Sequence, residues 1–420
     1  MPCKISGPVT PTRLLKQSLS QRRLSRLVFD TVFGLMGVTG CALCKWMVEM
    51  GFAPGFWGLT RACFKLEAGR VAMRSFLPCM WSPVGETLDL DRVSAEVPGA
   101  RCVDISERLT GCANPSHRLR VVELPGGKII DDLRLAATAG DHVIGGVQSL
   151  FGWKSTGKHY LLTRRRLRLK RFTKGRALLL GVANADNYYH WLLDSLPRWR
   201  MLMEAGFEEF DHVLMPAKST PFQDEMMEML KIPAGKLERC EKRRVHSYDS
   251  LVVPSMPFPV EEPAGWAVAW IRSLLCKADG GAGKEGERIY LSRQGKGRRP
   301  LTNEAELERS LAALGFEVVV PAGMTLSMQA QKMSRAQWLV APHGAGLVNM
   351  IFMPPGGYVL ELNHPGHMNR CYVNLAAACG HRHAALTGQG QAGSSRHQMP
   401  FQMDVAMVCR SLEIDPGRGL

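Results

Sequence analysis

Leu339-Val340-Ala341-Pro342-His343-Gly344-Ala345-Gly346-Leu347-Val348-Asn349-Met350-Ile351-Phe352 is the stretch on which the reading of this chain turns. With Trp338 in front of it, the apolar run to Ala341 reads as a short buried strand. A Pro-His-Gly-Ala-Gly turn follows and opens an apolar segment of helical length. Glycines at 344 and 346 let backbone come close to a ligand, and the first N–H groups of a helix, with its positive dipole end, favour an anion there. His343 sits at the mouth of the turn, placed to donate a hydrogen bond to a phosphate oxygen. A glycine turn after a strand is also an ordinary tight turn, and shape alone leaves both readings open.

Working outward, alternation of strand-like and helix-like segments continues on both sides. Arg288 to Ser292 reads as a strand ending in Ser292-Arg293, followed by a basic glycine loop to Pro300. Asn303-Glu304 opens a helix to Leu314, Phe316 to Val320 is a strand, Ser327 to Arg335 a helix, and Tyr358 to Leu362 a further strand. Residues 288–390 therefore read as one α/β domain. Before it, Ala278 to Glu287, rich in Gly, Lys and Glu, reads as a linker over 276–287.

Upstream, Ala177 to Ala183 reads as a buried strand and Asn184-Ala185-Asp186-Asn187 as the loop and cap of a helix. That helix carries His190 and Asp194, four residues apart and so on one face. A surface ion pair is the plain alternative, but Tyr188, Tyr189, Trp191, Leu192 and Leu193 surround His190, and a polar pair held among them needs a reason. Apolar runs at Val213 to Met215 and Leu251 to Val253 extend the alternation, which predicts a largely parallel sheet with helices on its faces. Residues 80–275 are thus a second α/β domain, with an irregular start that includes a β-like piece at Leu119 to Leu124.

A chain of 420 residues exceeds what one core usually organises, and 45% hydrophobic with 22% charged residues describes a folded protein. The formal charge of +15 suits an anionic partner, such as nucleotide phosphates or a membrane surface, or simply a basic solubilising surface. Residues 160–176 hold eight basic residues and no acid. Arg166, Arg168 and Lys170 alternate with Leu167 and Leu169, which predicts an edge strand with one cationic face. Nucleic acid is not an expected partner, because no aromatic interleaving or reader motif accompanies these charges. Twelve scattered cysteines, including a Cys41/Cys44 pair inside an apolar run, read as free thiols of a reducing compartment.

Residues 1–55 form a basic leader and an apolar segment. Its uncharged part, Thr31 to Cys44, is shorter than the ~20 residues a membrane span needs, so it reads as an interfacial or docked helix in preference to a signal anchor. The expected location is cytoplasmic, peripheral to the membrane or anchored in it through residues 1–50. Residues 391–420 read as a polar, flexible tail with a last helix at Val405 to Leu412. Asp89-Leu90-Asp91 is a DxD of the kind that holds a metal in some sugar transferases, but no clear strand precedes it, and no metal site and no cofactor are expected.

Asn187-Tyr188-Tyr189-His190-Trp191-Leu192-Leu193-Asp194, Arg288 to Arg293, Arg299 with Asn303-Glu304, Gly315 to Val318, Pro342 to Asn349, and Pro354-Pro355-Gly356 followed by Val359 to Leu362 together resemble the family 61 glycosyltransferases. That family includes bacterial capsular polysaccharide enzymes, plant xylan transferases and animal O-linked GlcNAc transferases. One departure is the helix before the key strand, which usually carries Glu-Gln and here has Met328-Gln329. The resemblance implies a GT-B-like α/β fold of two facing Rossmann-like domains, and an inverting, metal-independent transfer from a nucleotide sugar, UDP-sugars favoured, to a hydroxyl of a glycan or polysaccharide. It implies a donor site of Arg293, His343, Gly344, Ala345, Gly346, Asn349 and Glu361, with Glu361 on the ribose. Asn187, Arg299 and Gln329 are secondary candidates, and His190 with Asp194 supplies or orients the base. A nucleotide-sugar or glycan binding protein without turnover is the alternative. An esterase-like hydrolase is disfavoured because no Gly-x-Ser-x-Gly elbow occurs.

Overall fold

The alternating pattern yields a mixed α/β chain, described by a computed structural model at residues 78–79, 88–109, 116–147, 167–276, 286–294, 299–390 and 399–413. The expected leader at 1–55, Cys41 and Cys44, most of the linker and the start of the tail lie outside the described residues. Two units emerge: 1–82 with 160–171 and 243–245, and 83–159 with 172–242 and 246–420. In the first, β1 (Pro78–Cys79) pairs antiparallel with the start of β6 (Leu167–Leu179), Pro78 opposite Arg168. The second unit carries the site.

It opens with α1 (Leu90–Glu96). Asp89 caps this helix by accepting the Arg92 N–H at 3.0 Å, so half of the DxD motif has an ordinary capping role. The first sheet has the order β2-β3-β9-β6-β7-β8, with β2 at Arg101–Asp104, β3 at Arg120–Pro125, β7 at His212–Pro216, β8 at Leu237–Cys240 and β9 at Arg244–Pro254. A short hairpin, β4 (Lys128–Ile130) and β5 (Leu135–Ala137), joins it at β9. Here the structure corrects the expectation of a largely parallel sheet. β6, β7 and β8 run parallel, but β3 is antiparallel to both β2 and β9. An apolar run such as Leu251 to Val253, buried in the sheet interior, does not reveal strand direction.

The basic run is also corrected. It is not a separate edge strand but the first part of β6, whose second part, from Ala177, is buried between β9 and β7. Gly175 stands where the two parts meet, at φ +107°, with the Asp211 carboxylate in the space a Cβ would fill. Polar flank and buried half belong to one strand because that glycine lets it continue.

The second sheet is all parallel, in the order β11-β10-β12-β13-β14. These are β10 (Glu287–Leu291), β11 (Phe316–Val319), β12 (Ala336–Pro342), β13 (Tyr358–Asn363) and β14 (Arg382–Thr387). Helices α5 (Glu304–Ala313), α6 (Leu326–Met333) and α7 (Cys371–Cys379) connect them. The chain leaves β10 toward β11 and then returns to β12 on the other side, so the order reverses between β10 and β12. Ligands of such sheets bind beyond the carboxyl ends at that reversal. The tail adds a two-stranded pairing of β15 (Gln389–Gly390) with β16 (Phe401–Gln402) and the expected last helix, α8 (Val405–Glu413).

One apolar cluster runs from Trp191 and Leu193 through Trp266 and Ile271 of α4 (Gly265–Leu275) to Leu339, Val348 and Ile351. This cluster packs against both sheets, while a further apolar cluster lies on each sheet separately. No described helix is long and apolar enough to cross a membrane.

Candidate functional site

After β6 the chain makes its loop, in which Asn187 Oδ1 accepts the Tyr189 N–H at 2.9 Å. It then winds as a π-helix, His190–Ser195, before continuing as α2 (Leu196–Glu204). Such wide turns are rare and recur at functional sites. His190 Nδ1 lies 2.7 Å from Asp194 Oδ2, the two side chains 12% and 10% exposed. Donation of Nδ1–H to the carboxylate leaves the lone pair on Nε2. Behind Asp194, Arg198 is fully buried; its Nη2 donates to Val147 O and lies 3.1 Å from Met256 Sδ. Burial pushes this guanidinium down to about 9, with the Asp194 charge acting the other way. The acid of the pair is thus backed by a buried cation.

The glycine turn forms where the sequence predicts it. β12 ends at Pro342, and Ala345–Phe352 is helical but wound as a 3₁₀-helix. Leu347 to Phe352 are all buried, with α4, α6 and α7 packed around them, so burial on every side holds this segment instead of a long hydrogen-bond ladder. Gly344 has extended backbone, φ 166°. Its need for no side chain is steric, because an added Cβ would meet the Arg293 guanidinium at 3.3 Å. Arg293 follows β10, and its Nη1 donates to His343 O at 3.0 Å while its own N–H is accepted by Glu304 Oε1 at 2.8 Å. Burial lowers the Arg293 pKa, opposed by Glu304. Arg293 therefore props the turn from behind.

His343 Nδ1 bonds Glu361 Oε1, and the other carboxylate oxygen takes His383 Nε2 at 3.0 Å. Burial pushes the Glu361 carboxyl up, but the hydrogen bonds and charges of the two histidines outweigh it and leave it lowered. Tyr372 OH donates to Gly344 O at 2.6 Å, and its ring meets His343 edge-on at 5.0 Å.

These parts face one cleft of about 200 Å³. Of the expected residues it is lined by Asn187, His190, Asp194, Arg299, His343, Gly344 and Ala345. Five others stand outside the lining. Arg293 lies behind Gly344. Gly346 has open space where a side chain would go. Glu361, expected on the ribose, is 2% exposed, with one oxygen held by His343 and the other by His383. Asn349 is fully buried, accepting from Tyr188 OH at 2.8 Å and donating to Gln329 Oε1 at 2.9 Å. Gln329 is thereby spent on Asn349, and Met328, the departure from Glu, is 51% exposed beside it.

Sequence reasoning missed Tyr189, Glu261, His367, Asn369, Cys371 and Tyr372, all of which line the cleft. His367 follows β13 in a His-Pro-Gly-His cluster, so its place beyond a parallel strand's carboxyl end was an available signal. Glu261 and Tyr372 had none, since neither stands near the motifs in sequence.

A parallel sheet with a reversal point, a glycine turn there and a His–Asp pair facing the same cleft together form the candidate site, and the family comparison gives it an outline. Residues 188–360 match the family model Glycosyltransferase 61, so this part of the chain is similar to that family of glycosyltransferases. A search of curated proteins finds no match.

Proposed function

We propose that this protein is an inverting glycosyltransferase that moves a sugar from a nucleotide-sugar donor, a UDP-sugar in preference, to a hydroxyl of a glycan or polysaccharide, without need of a metal. The observation that carries the reading is the meeting, in one cleft, of the His190–Asp194 pair with the His343-Gly344-Ala345 turn. On this reading the two α/β halves work as the facing domains of a GT-B-like enzyme, and the basic segments hold the protein at an anionic membrane surface.

Inversion is direct displacement at the anomeric carbon. His190 Nε2 takes the acceptor hydroxyl proton as the new bond from oxygen to carbon forms. The bond from the anomeric carbon to the donor phosphate breaks, and its electron pair leaves with the nucleoside diphosphate. Asp194 holds the imidazole and stabilises its charge, with Arg198 keeping the carboxylate's own surroundings positive. The leaving diphosphate gains negative charge, which the helix start at Ala345, Arg299 and Arg293 behind the turn offset. His343, its Nδ1 held by the Glu361 carboxylate, is oriented at the mouth of the turn beside the diphosphate.

The reading is tested by incubating the protein with UDP-, GDP- and CMP-sugars and measuring sugar transfer and nucleotide release. Turnover of one donor, with Asp194→Asn and His190→Ala retaining donor affinity but losing about 100-fold or more in rate, is expected of a positioned general base. No heat shift with any of UDP, GDP or CMP would sink the donor-site assignment.

A further inference from the structure

We propose that Glu261 is a sugar-binding residue of this cleft, its carboxylate accepting hydrogen bonds from ring hydroxyls of a substrate; the inference rests on the transferase reading above. Glu261 lines the cleft alongside Asp194, Tyr189, Asn187 and Asn369, and is half-buried. Its carboxylate has no hydrogen-bond or ion-pair partner among the described residues, unlike Asp194 and Glu361. The carboxylate oxygens are open to the cleft, so their acceptor capacity is available to the hydroxyls of a ligand.

The backbone adds a second, independent observation. Glu261 is held at φ +65°, a region that L side chains rarely adopt and that glycine or asparagine would occupy more cheaply. Surroundings enforce this conformation: Glu262 N–H donates to Pro259 O at 3.0 Å, and Asn374 Nδ2 donates to Glu261 O at 2.8 Å. Asn374 lies on α7, the helix that also brings Cys371 and Tyr372 to the cleft. The same conformation occurs at turns away from the cleft, such as Lys231 and Arg243, so at Glu261 its value to the argument is that it fixes where the side chain leaves the backbone. Neighbouring chemistry points to a carbohydrate: Tyr189 offers an aromatic edge, Asn187 and Asn369 offer amides, and Val260, 51% exposed, offers an apolar shoulder. A sugar ring presents the same mixture of hydroxyls and C–H faces.

The ring in question belongs either to the donor or to the acceptor, and kinetics separate the two. Glu261→Asn removes the reach of the carboxylate while tolerating positive φ, and Glu261→Gln keeps an acceptor oxygen at full length. Both are compared with wild type for thermal midpoint, for UDP binding, and for KM toward the UDP-sugar and acceptor that wild type turns over. Glu261→Asn is expected to melt no lower than wild type and to bind UDP unchanged. Its KM for one sugar substrate is expected to rise about tenfold or more, the worth of one hydrogen bond to a charged group, with Glu261→Gln between the two. A rise in donor KM assigns the contact to the transferred sugar, and a rise in acceptor KM to the acceptor ring. Unmoved KM values for both, with UDP binding intact, overturn the role of Glu261 alone. Absence of nucleotide binding and transfer in wild type overturns the transferase reading beneath it.

Discussion

His343, Glu361 and His383 show how a residue's place can be legible while its part is not. The Leu-Glu-Leu strand end marks Glu361 as a site residue, and only side-chain geometry reveals that both oxygens are committed to histidines. With its carboxyl lowered in the fold, Glu361 contributes stability at and above the ordinary glutamate range, and that contribution is lost as pH falls through its folded pKa. Thermal melts from pH 6 down to 3 should therefore show a steeper acid limb for wild type than for Glu361→Gln. Equal slopes would mean that the two histidines do not hold an ionised carboxylate. On the proposed donor-site reading, Glu361→Gln should also weaken UDP binding, because Glu361 holds the His343 ring.

At the scale of elements, the turn after β12 and the start of α6 are the places where small changes have large effects. Gly344→Ala should leave the strand intact, since its φ suits any residue, but press on the Arg293 guanidinium and shift it by a few tenths of an ångström. The expected outcome is UDP affinity weakened about tenfold, the scale of one charge-assisted contact, with a nearly unchanged melting temperature. α6 begins under a double cap: Thr325 accepts from Met328 N–H at 3.1 Å, and Glu225 of α3 (Pro221–Met229) accepts from Leu326 N–H at 2.6 Å and Ser327 N–H at 2.8 Å. Glu225→Ala should cost about 1–2 kcal/mol in urea unfolding, the range of a lost helix cap. A capping Thr before a helical run is readable in sequence, whereas a glutamate supplied a hundred residues away is not.

Across the whole molecule, β10 to β13 of the parallel second sheet were legible because each carries an apolar run bounded by turn signals, whereas β14, Arg382–Thr387, is too polar to be read as a strand. The first sheet was not, because β3 and β9 look the same whichever way they run, and because the charges before Ala177 concealed one long β6. In the site, His190, Asp194, His343 and Gly344 could be read from spacing, while Glu261, His367 and Tyr372 arrive from elements whose approach only the tertiary fold determines. Among the described residues, ties joining the part that carries the His–Asp pair to the part that carries the turn include Tyr188 to Asn349, Glu225 to α6, and Asn374 to Glu261. Asn349→Ala leaves the buried Tyr188 hydroxyl without its partner and should destabilise the protein by about 1–3 kcal/mol, read by thermal or denaturant unfolding. The ties also bear on time. Where a transferase must swing its halves together, rapid mixing of donor and acceptor reveals a delay before the first product. On the proposed reading, the span between His190 and the turn at His343 to Ala345 is set by folding, so first-turnover traces should rise without a lag, at the effective concentration of a preassembled pair.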